Sequence, residues 1–135
     1  MPSVSYRSDI KITADSYIDL LKRSTLAERR PVHDRERIQR MLDNADILIT
    51  AWQDDKLVGV SRAVSDFSYC CYLSDLAVDE CCQHQGIGKE LVRVTHETAG
   101  METQLTLIAA PKAVEYYPKI GMRHFEHCFV LDRKK

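Results

Sequence analysis

The stretch Tyr72 to Ala99 reads YLSDLAVDECCQHQGIGKELVRVTHETA, and three patterns follow one another in it. Leu73, Leu76, Ala77 and Val78 form a short apolar run, and Asp79 to Gln85 are polar or small. Gly86 and Gly88 then lead into Ile87, Leu91, Val92 and Val94, whose spacing of three to four is helical. The reading is strand, tight turn, helix. Such a turn aims several main-chain N–H groups and the positive end of the helix dipole at one point, which suits a phosphate. At Gly86 and Gly88 no Cβ blocks a bulky anion, and φ can turn positive at little cost. The plainer alternative is that two glycines simply end a loop.

Two common phosphate loops do not fit. A P-loop needs a Gly with four residues between it and its Gly-Lys pair, and Ser or Thr after the Lys, where this chain has Gln83 and Glu90. A dinucleotide fingerprint needs a small residue three after Gly88 and meets Leu91.

The pattern Gln83-x-x-Gly86-x-Gly88 after a strand resembles the acyl-CoA diphosphate loop of the GNAT superfamily of N-acetyltransferases. A second match follows at the family's spacing. Ala113 to Met122, AVEYYPKIGM, is similar to the segment in which an Ala, an aromatic-Tyr pair and a Gly-aromatic close the acyl-CoA site. The likeness runs from about Ile47 to Leu131. It implies an α/β fold with a mixed, mostly antiparallel sheet of six to seven strands, a parallel splayed pair and about four flanking helices. The splayed pair would be the strand ending at Val78 and that of Gln104 to Ala109, with the pantetheine arm between them.

The resemblance also implies an activity: transfer of an acetyl group from acetyl-CoA to a primary amine of a small molecule, by direct attack in a ternary complex. Gln83, His84, Gln85, Gly86, Ile87, Gly88 and Lys89 would hold the diphosphate. Leu76, Ala77 and Val78 would face the pantetheine and thioester with main-chain groups. Tyr117 matches the family's general acid, and a phenol near pKa 10 can reprotonate a departing thiolate at neutral pH. Tyr116 and Tyr117 could equally be packing aromatics. Asp75 is the leading candidate for a base, because it interrupts an apolar strand where an ionised carboxylate is costly unless it faces a cleft or is paired. It could equally pair with a neighbouring strand. Two departures from the family pattern are Ala110, where an Asn commonly contacts pantetheine, and Met122 in place of an aromatic. A peptide or protein acetyltransferase, and a non-catalytic acyl-CoA sensor, are the rival readings.

At 135 residues, 44% hydrophobic and 29% charged, the chain is read as one domain, 1–135, able to bury its own core. A formal net charge of -1 and a pI near 6.5 give no global attraction to nucleic acid or an anionic membrane. Five cysteines, Cys70, Cys71, Cys81, Cys82 and Cys128, make no CxxC spacing and are read as reduced thiols. The segment MPSVSYRSDIK has no apolar leader core, and no apolar run is long enough for a membrane span, so the cytoplasm is expected. His124-x-x-His127 lacks further ligands nearby, and no metal is expected. The acceptor amine carries no decodable motif. Dimers are common among similar proteins, which makes a homodimer the natural assembly to test.

Taken in order, Val4 and Tyr6 suggest a first strand, and Thr13 can cap a helix carrying Tyr17, Ile18, Leu20 and Leu21. Arg29, Arg30, Arg35, Arg37 and Arg40 then cluster before Ile38, Met41 and Leu42, the stripe of a second helix. That cluster is either a solvated face or a contact for an anionic group. Ile47 to Trp52 and Leu57 to Val64 read as a hairpin, Ser68 to Val78 as the next strand, and Gly100 as the stop of the central helix. Gln104 to Ala109 reads as a strand, Lys112 to Lys119 as a helix, and Cys128 to Leu131 as a last strand before the charged tail Asp132 to Lys135.

Overall fold

The computed structural model describes residues 3–134; Met1, Pro2 and Lys135 lie outside them. Its sheet has five strands in chain order: β1 (Val4–Arg7), β2 (Ile47–Gln53), β3 (Lys56–Ser65), β4 (Cys70–Val78) and β5 (Gln104–Thr106). The first four pair antiparallel, and β4 with β5 is the one parallel pair. Four helices flank it: α1 (Ala14–Ser24), α2 (Arg35–Asp43), α3 (Ile87–Ala99) and α4 (Tyr116–Lys119). The α/β class, the mixed sheet and the parallel pair are those implied by the resemblance.

The helices begin where local chemistry lets them. Thr13 Oγ1 accepts from the Ser16 N–H at 3.1 Å at the start of α1, and Asp34 Oδ1 from the Arg37 N–H at 3.1 Å at the start of α2. Each cap satisfies a donor that the first turn leaves unpaired, for about 1 kcal/mol. The amphipathic helices then cover both sheet faces. Tyr17, Leu20 and Leu21 of α1 and Ile38 of α2 pack with Leu57, Val60 and Ala77, while Ile87 and Leu91 of α3 pack with Ile49, Ala51 and Val58. Each fully buried Leu or Ile removes enough apolar surface to contribute about 1.5–3 kcal/mol.

The seat of α3 is set by Gly59 of β3. A Cβ there would come within 3.1 Å of Leu91 Cδ1 and 3.2 Å of Ile87 Cγ2, so the first turns of the helix lie almost on the strand. A polar contact fixes the same helix further along, where Ser61 Oγ and Thr95 Oγ1 are 2.7 Å apart. Thr95 gives its own proton to the Leu91 carbonyl, so Ser61 is the donor of that pair.

Three expectations are corrected. The sheet has five strands, because Cys128 to Leu131 has no strand partner among the described residues. Phe129 is 91% exposed and Leu131 fully so, and such a segment has no surface to hold it in a ladder. The strand expected over Gln104 to Ala109 stops at Thr106, since β4 turns away beyond Tyr72. The helix expected over Lys112 to Lys119 is broken into a 3₁₀ turn, Pro111–Ala113, and the short α4. Pro118 sits in the first turn of α4, where its missing N–H removes no helical bond.

Candidate active site

The site opens where β5 stops following β4. The parallel ladder holds Cys70, Cys71 and Tyr72 against Gln104, Leu105 and Thr106. Beyond it β4 continues to Val78, while residues 107 to 110 form no ladder. The gap is a cleft of about 770 Å³, with Leu76 and Val78 on one wall and Leu107, Ile108 and Tyr117 on the other. That volume is in the range of small-molecule sites. The lining also takes in His84, Gly86, Gly88 and Lys89 from the turn before α3, and Thr25, Leu26, Glu28, Arg29 and Arg30 from the segment after α1.

Gly86 caps α3 with φ +83, in the left-handed region, and His84 takes φ +68. The chain therefore turns sharply, and the first intrahelical bond is that of the Glu90 N–H to the Gly86 carbonyl at 3.0 Å. Among the described residues, the N–H groups of His84, Gln85, Gly86, Ile87 and Gly88 have no protein acceptor. Ile87 is buried in the core, so only its main chain faces the turn. Gln83 serves differently, donating from Nε2 to the Val78 carbonyl at 3.1 Å and tying the turn to the end of β4. A diphosphate fits this cradle: unpaired amides, a helix N-terminus, and at Gly86 open space where a Cβ would stand.

The second glycine has another purpose. A Cβ on Gly88 would lie 2.7 Å from Tyr116 Oη, so the bare position lets that phenol rest against the start of α3. Burial pushes the Tyr116 phenol above its ordinary value, against a hydrogen bond from the Lys89 N–H. Tyr117 stands edge-on to Tyr116, ring centroids 5.1 Å apart, and lines the cleft. Burial, then the neighbouring Tyr116, holds its phenol above the usual range.

Asp75 does not line the cleft. It is fully buried, and its oxygens are taken by Arg30 Nε at 2.6 Å, Arg62 Nε at 2.7 Å and the phenol of Tyr17. Burial alone would raise its pKa; the hydrogen bond and charge of Arg62, the charge of Arg30 and the hydrogen bond from Tyr17 reverse this, and the net direction is down. A carboxylate held in this way is a poor proton acceptor. Asp75 is the strand-paired residue of its two sequence readings, and the base reading is set aside. Sequence reasoning passed over Tyr17 and Arg62 as its partners. A signal for Arg62 exists: it is the one charge inside the apolar run of β3, opposite the one charge inside β4.

A cleft between splayed parallel strands, with an amide-lined turn at the head of the following helix, defines the acyl-CoA N-acyltransferase class of fold. The chain belongs to the GNAT acetyltransferases, matching the acetyltransferase (GNAT) domain over residues 19–132. Members of this family take acetyl-CoA as donor. Among its relatives is the uncharacterized N-acetyltransferase ycf52 of Pyropia yezoensis, 27% identical over 84% of this chain and 70% of that protein. Another is the ycf52-like N-acetyltransferase of Prochlorococcus marinus, 28% identical over 77% of this chain and 59% of that one. The chain thus spans between about three fifths and seven tenths of the length of these two relatives. Its fold is shared with SA2161, a protein of unknown function from meticillin-resistant Staphylococcus aureus, at a TM-score of 0.81 and 22% identity over 98% of this chain and all of that one.

Proposed function

We propose that the chain transfers the acetyl group of acetyl-CoA to the primary amine of a small molecule held in the same cleft. The observation that carries this reading is the continuity of one cleft from the unpaired amides of the turn to Tyr117 and on to the segment after α1. The donor supplies a thioester, whose C–S bond breaks as the amine nitrogen forms the C–N bond. The chain does the rest. The N–H groups from His84 to Gly88 hold the diphosphate with the Lys89 ammonium beside them, and the main-chain groups of Leu76 and Val78 align the pantetheine and thioester. Ala77, its side chain buried, contributes through the same strand backbone. Tyr117 gives its proton to the departing sulfur, while the amine's proton leaves through water, since Asp75 is engaged elsewhere.

The acceptor side is also suggestive. Thr25, Glu28, Arg29 and Arg30 line it, and Asp75 behind them is already neutralised by two guanidiniums. Glu28 is the one carboxylate in that lining among the described residues. This suits an acceptor with a single amino group better than a polycation.

The deciding experiment is an assay of free-thiol release from acetyl-CoA with a panel of mono- and polyamines, beside calorimetry of CoA binding. Thiol release that depends on one class of monoamine supports the reading. Tight CoA binding with no release from any amine would favour the acyl-CoA sensor, and release only with peptides the protein acetyltransferase.

A further inference from the structure

Ser74 has no partner on β3: Arg62 faces Asp75 and the next residue, Ala63, faces Leu73. It is the extra residue of a β-bulge, which breaks the ladder, bends the strand and re-aims the chain beyond it. The bulge lies just past the last β5 pairing at Tyr72, where the cleft begins. An unpaired residue between a broken ladder and a cleft is free to turn unless something holds it.

Two guanidiniums hold it. Arg30 Nη2 donates to the Ser74 carbonyl at 2.7 Å, and Arg62 Nη2 to Ser74 Oγ at 3.0 Å. Both also grip Asp75, as does the phenol of Tyr17. One bulge is thereby tied to α1, to β3 and to the segment between α1 and α2. Of these ties only Arg30 comes from the acceptor-side lining, and its side chain keeps 21% of its surface exposed while that of Arg62 keeps 10%. The turn that delivers Arg30 is unusual. Thr25, a β-branched residue, takes φ +71 as α1 ends, a conformation that persists where the surroundings enforce it.

We infer that Arg30 is a positioning residue for acyl transfer, which holds the Ser74 carbonyl and so fixes the direction of the β4 main chain at Leu76. The inference rests on the donor-binding reading of the cleft, in which the Leu76 N–H meets the thioester oxygen. It couples the two sides of the site, since a shift of the segment after α1 would loosen the bulge and turn that N–H. Arg30 can do this because its planar fork reaches a carboxylate and a carbonyl together, which an ammonium on a flexible stem does not reproduce.

The test compares Arg30→Gln and Arg30→Lys with the parent chain. Two quantities are measured without turnover: the ratio of affinities for acetyl-CoA and CoA by calorimetry, and hydrogen exchange of the amides from Leu73 to Leu76. CoA lacks the acyl oxygen, so the ratio isolates the contact at Leu76. Both variants are expected to bind CoA within about twofold of the parent, to lose at least fivefold in preference for acetyl-CoA, and to exchange those amides at least tenfold faster. A ratio and exchange rates unchanged in Arg30→Gln overturn the inference. If the parent chain does not bind CoA, the donor reading fails on its own account. The exchange measurement, which needs no ligand, then still decides whether Arg30 holds the bulge. Arg30→Lys guards against a glutamine variant that fails to fold.

Discussion

Arg62 and Asp75 face each other across the β3–β4 ladder and are joined again through their side chains, Arg62 Nε to Asp75 Oδ2 at 2.7 Å. Asp75 is fully buried and Arg62 nearly so. Removing one partner of a buried ion pair leaves the other uncompensated, at about 3–5 kcal/mol. Asp75→Asn keeps the shape and deletes the charge, with Arg30 and Arg62 then facing each other unneutralised. The variant is expected to lose about 3 kcal/mol or more in denaturant melts, with a melting temperature lower by on the order of 10 °C. Its acid behaviour should change too. The folded pKa of Asp75 is lowered, so its contribution is fully present above the unfolded value near 4 and lost as pH falls through the folded value. The parent should therefore lose more stability than Asp75→Asn between about pH 4 and pH 2.

Thr25 offers a prediction of the opposite sign. A residue with a branched Cβ at φ +71 is strained by about 1–2 kcal/mol, and a glycine there is not. Thr25→Gly is expected to raise stability by about 1 kcal/mol in equilibrium unfolding. Any loss of acetyl transfer in that stabilised variant would show that the turn's rigidity serves the site and not the fold.

How far the sequence reached can be judged from these same residues. The strand, turn and helix from Tyr72 to Ala99 were legible because each rests on local chemistry: an apolar run, two glycines, a 3.6-residue period. Asp75 stood out for the same reason, a charge in an apolar strand. Its partners did not, because Tyr17 and Arg30 come from 58 and 45 residues away, and no local pattern announces a contact made by tertiary packing. Cys128 to Leu131 failed the other way. Its composition favours a strand, but a strand needs a neighbour, and composition cannot supply one.

Tyr117 should act in the step that releases the thiol. Tyr117→Phe keeps the ring and its packing on Tyr116 while removing the only proton the side chain can give. The expected result is a fall in kcat of about 100-fold, the lower end of what a positioned acid contributes, with acetyl-CoA affinity held within about twofold. A pH profile adds a signature. Burial, then Tyr116, raises the Tyr117 pKa, so the acid stays protonated beyond the usual phenol range. The alkaline fall in kcat is expected above about pH 10 in the parent and absent in the variant. An unchanged kcat in Tyr117→Phe would remove the residue from the chemistry.

The turn before α3 can be probed at its two glycines, which differ in what surrounds them. At Gly86 a Cβ meets nothing within 4 Å, so Gly86→Ala tests the φ of +83 alone and should cost about 1 kcal/mol of stability. Gly86→Asp adds a negative charge beside the amides that the donor's diphosphate would occupy. It is expected to weaken CoA binding at least tenfold beyond Gly86→Ala, with the deficit shrinking as salt rises. At Gly88 the Cβ would fall 2.7 Å from Tyr116 Oη, so Gly88→Ala must push that phenol aside. Calorimetry on Gly88→Ala and on Gly88→Ala with Tyr116→Phe separates the two effects. If the clash is what matters, Tyr116→Phe restores most of the lost affinity; if the new methyl blocks the phosphate directly, it restores none. Equal CoA affinity in the parent, Gly86→Asp and Gly88→Ala would mean that the diphosphate lies elsewhere.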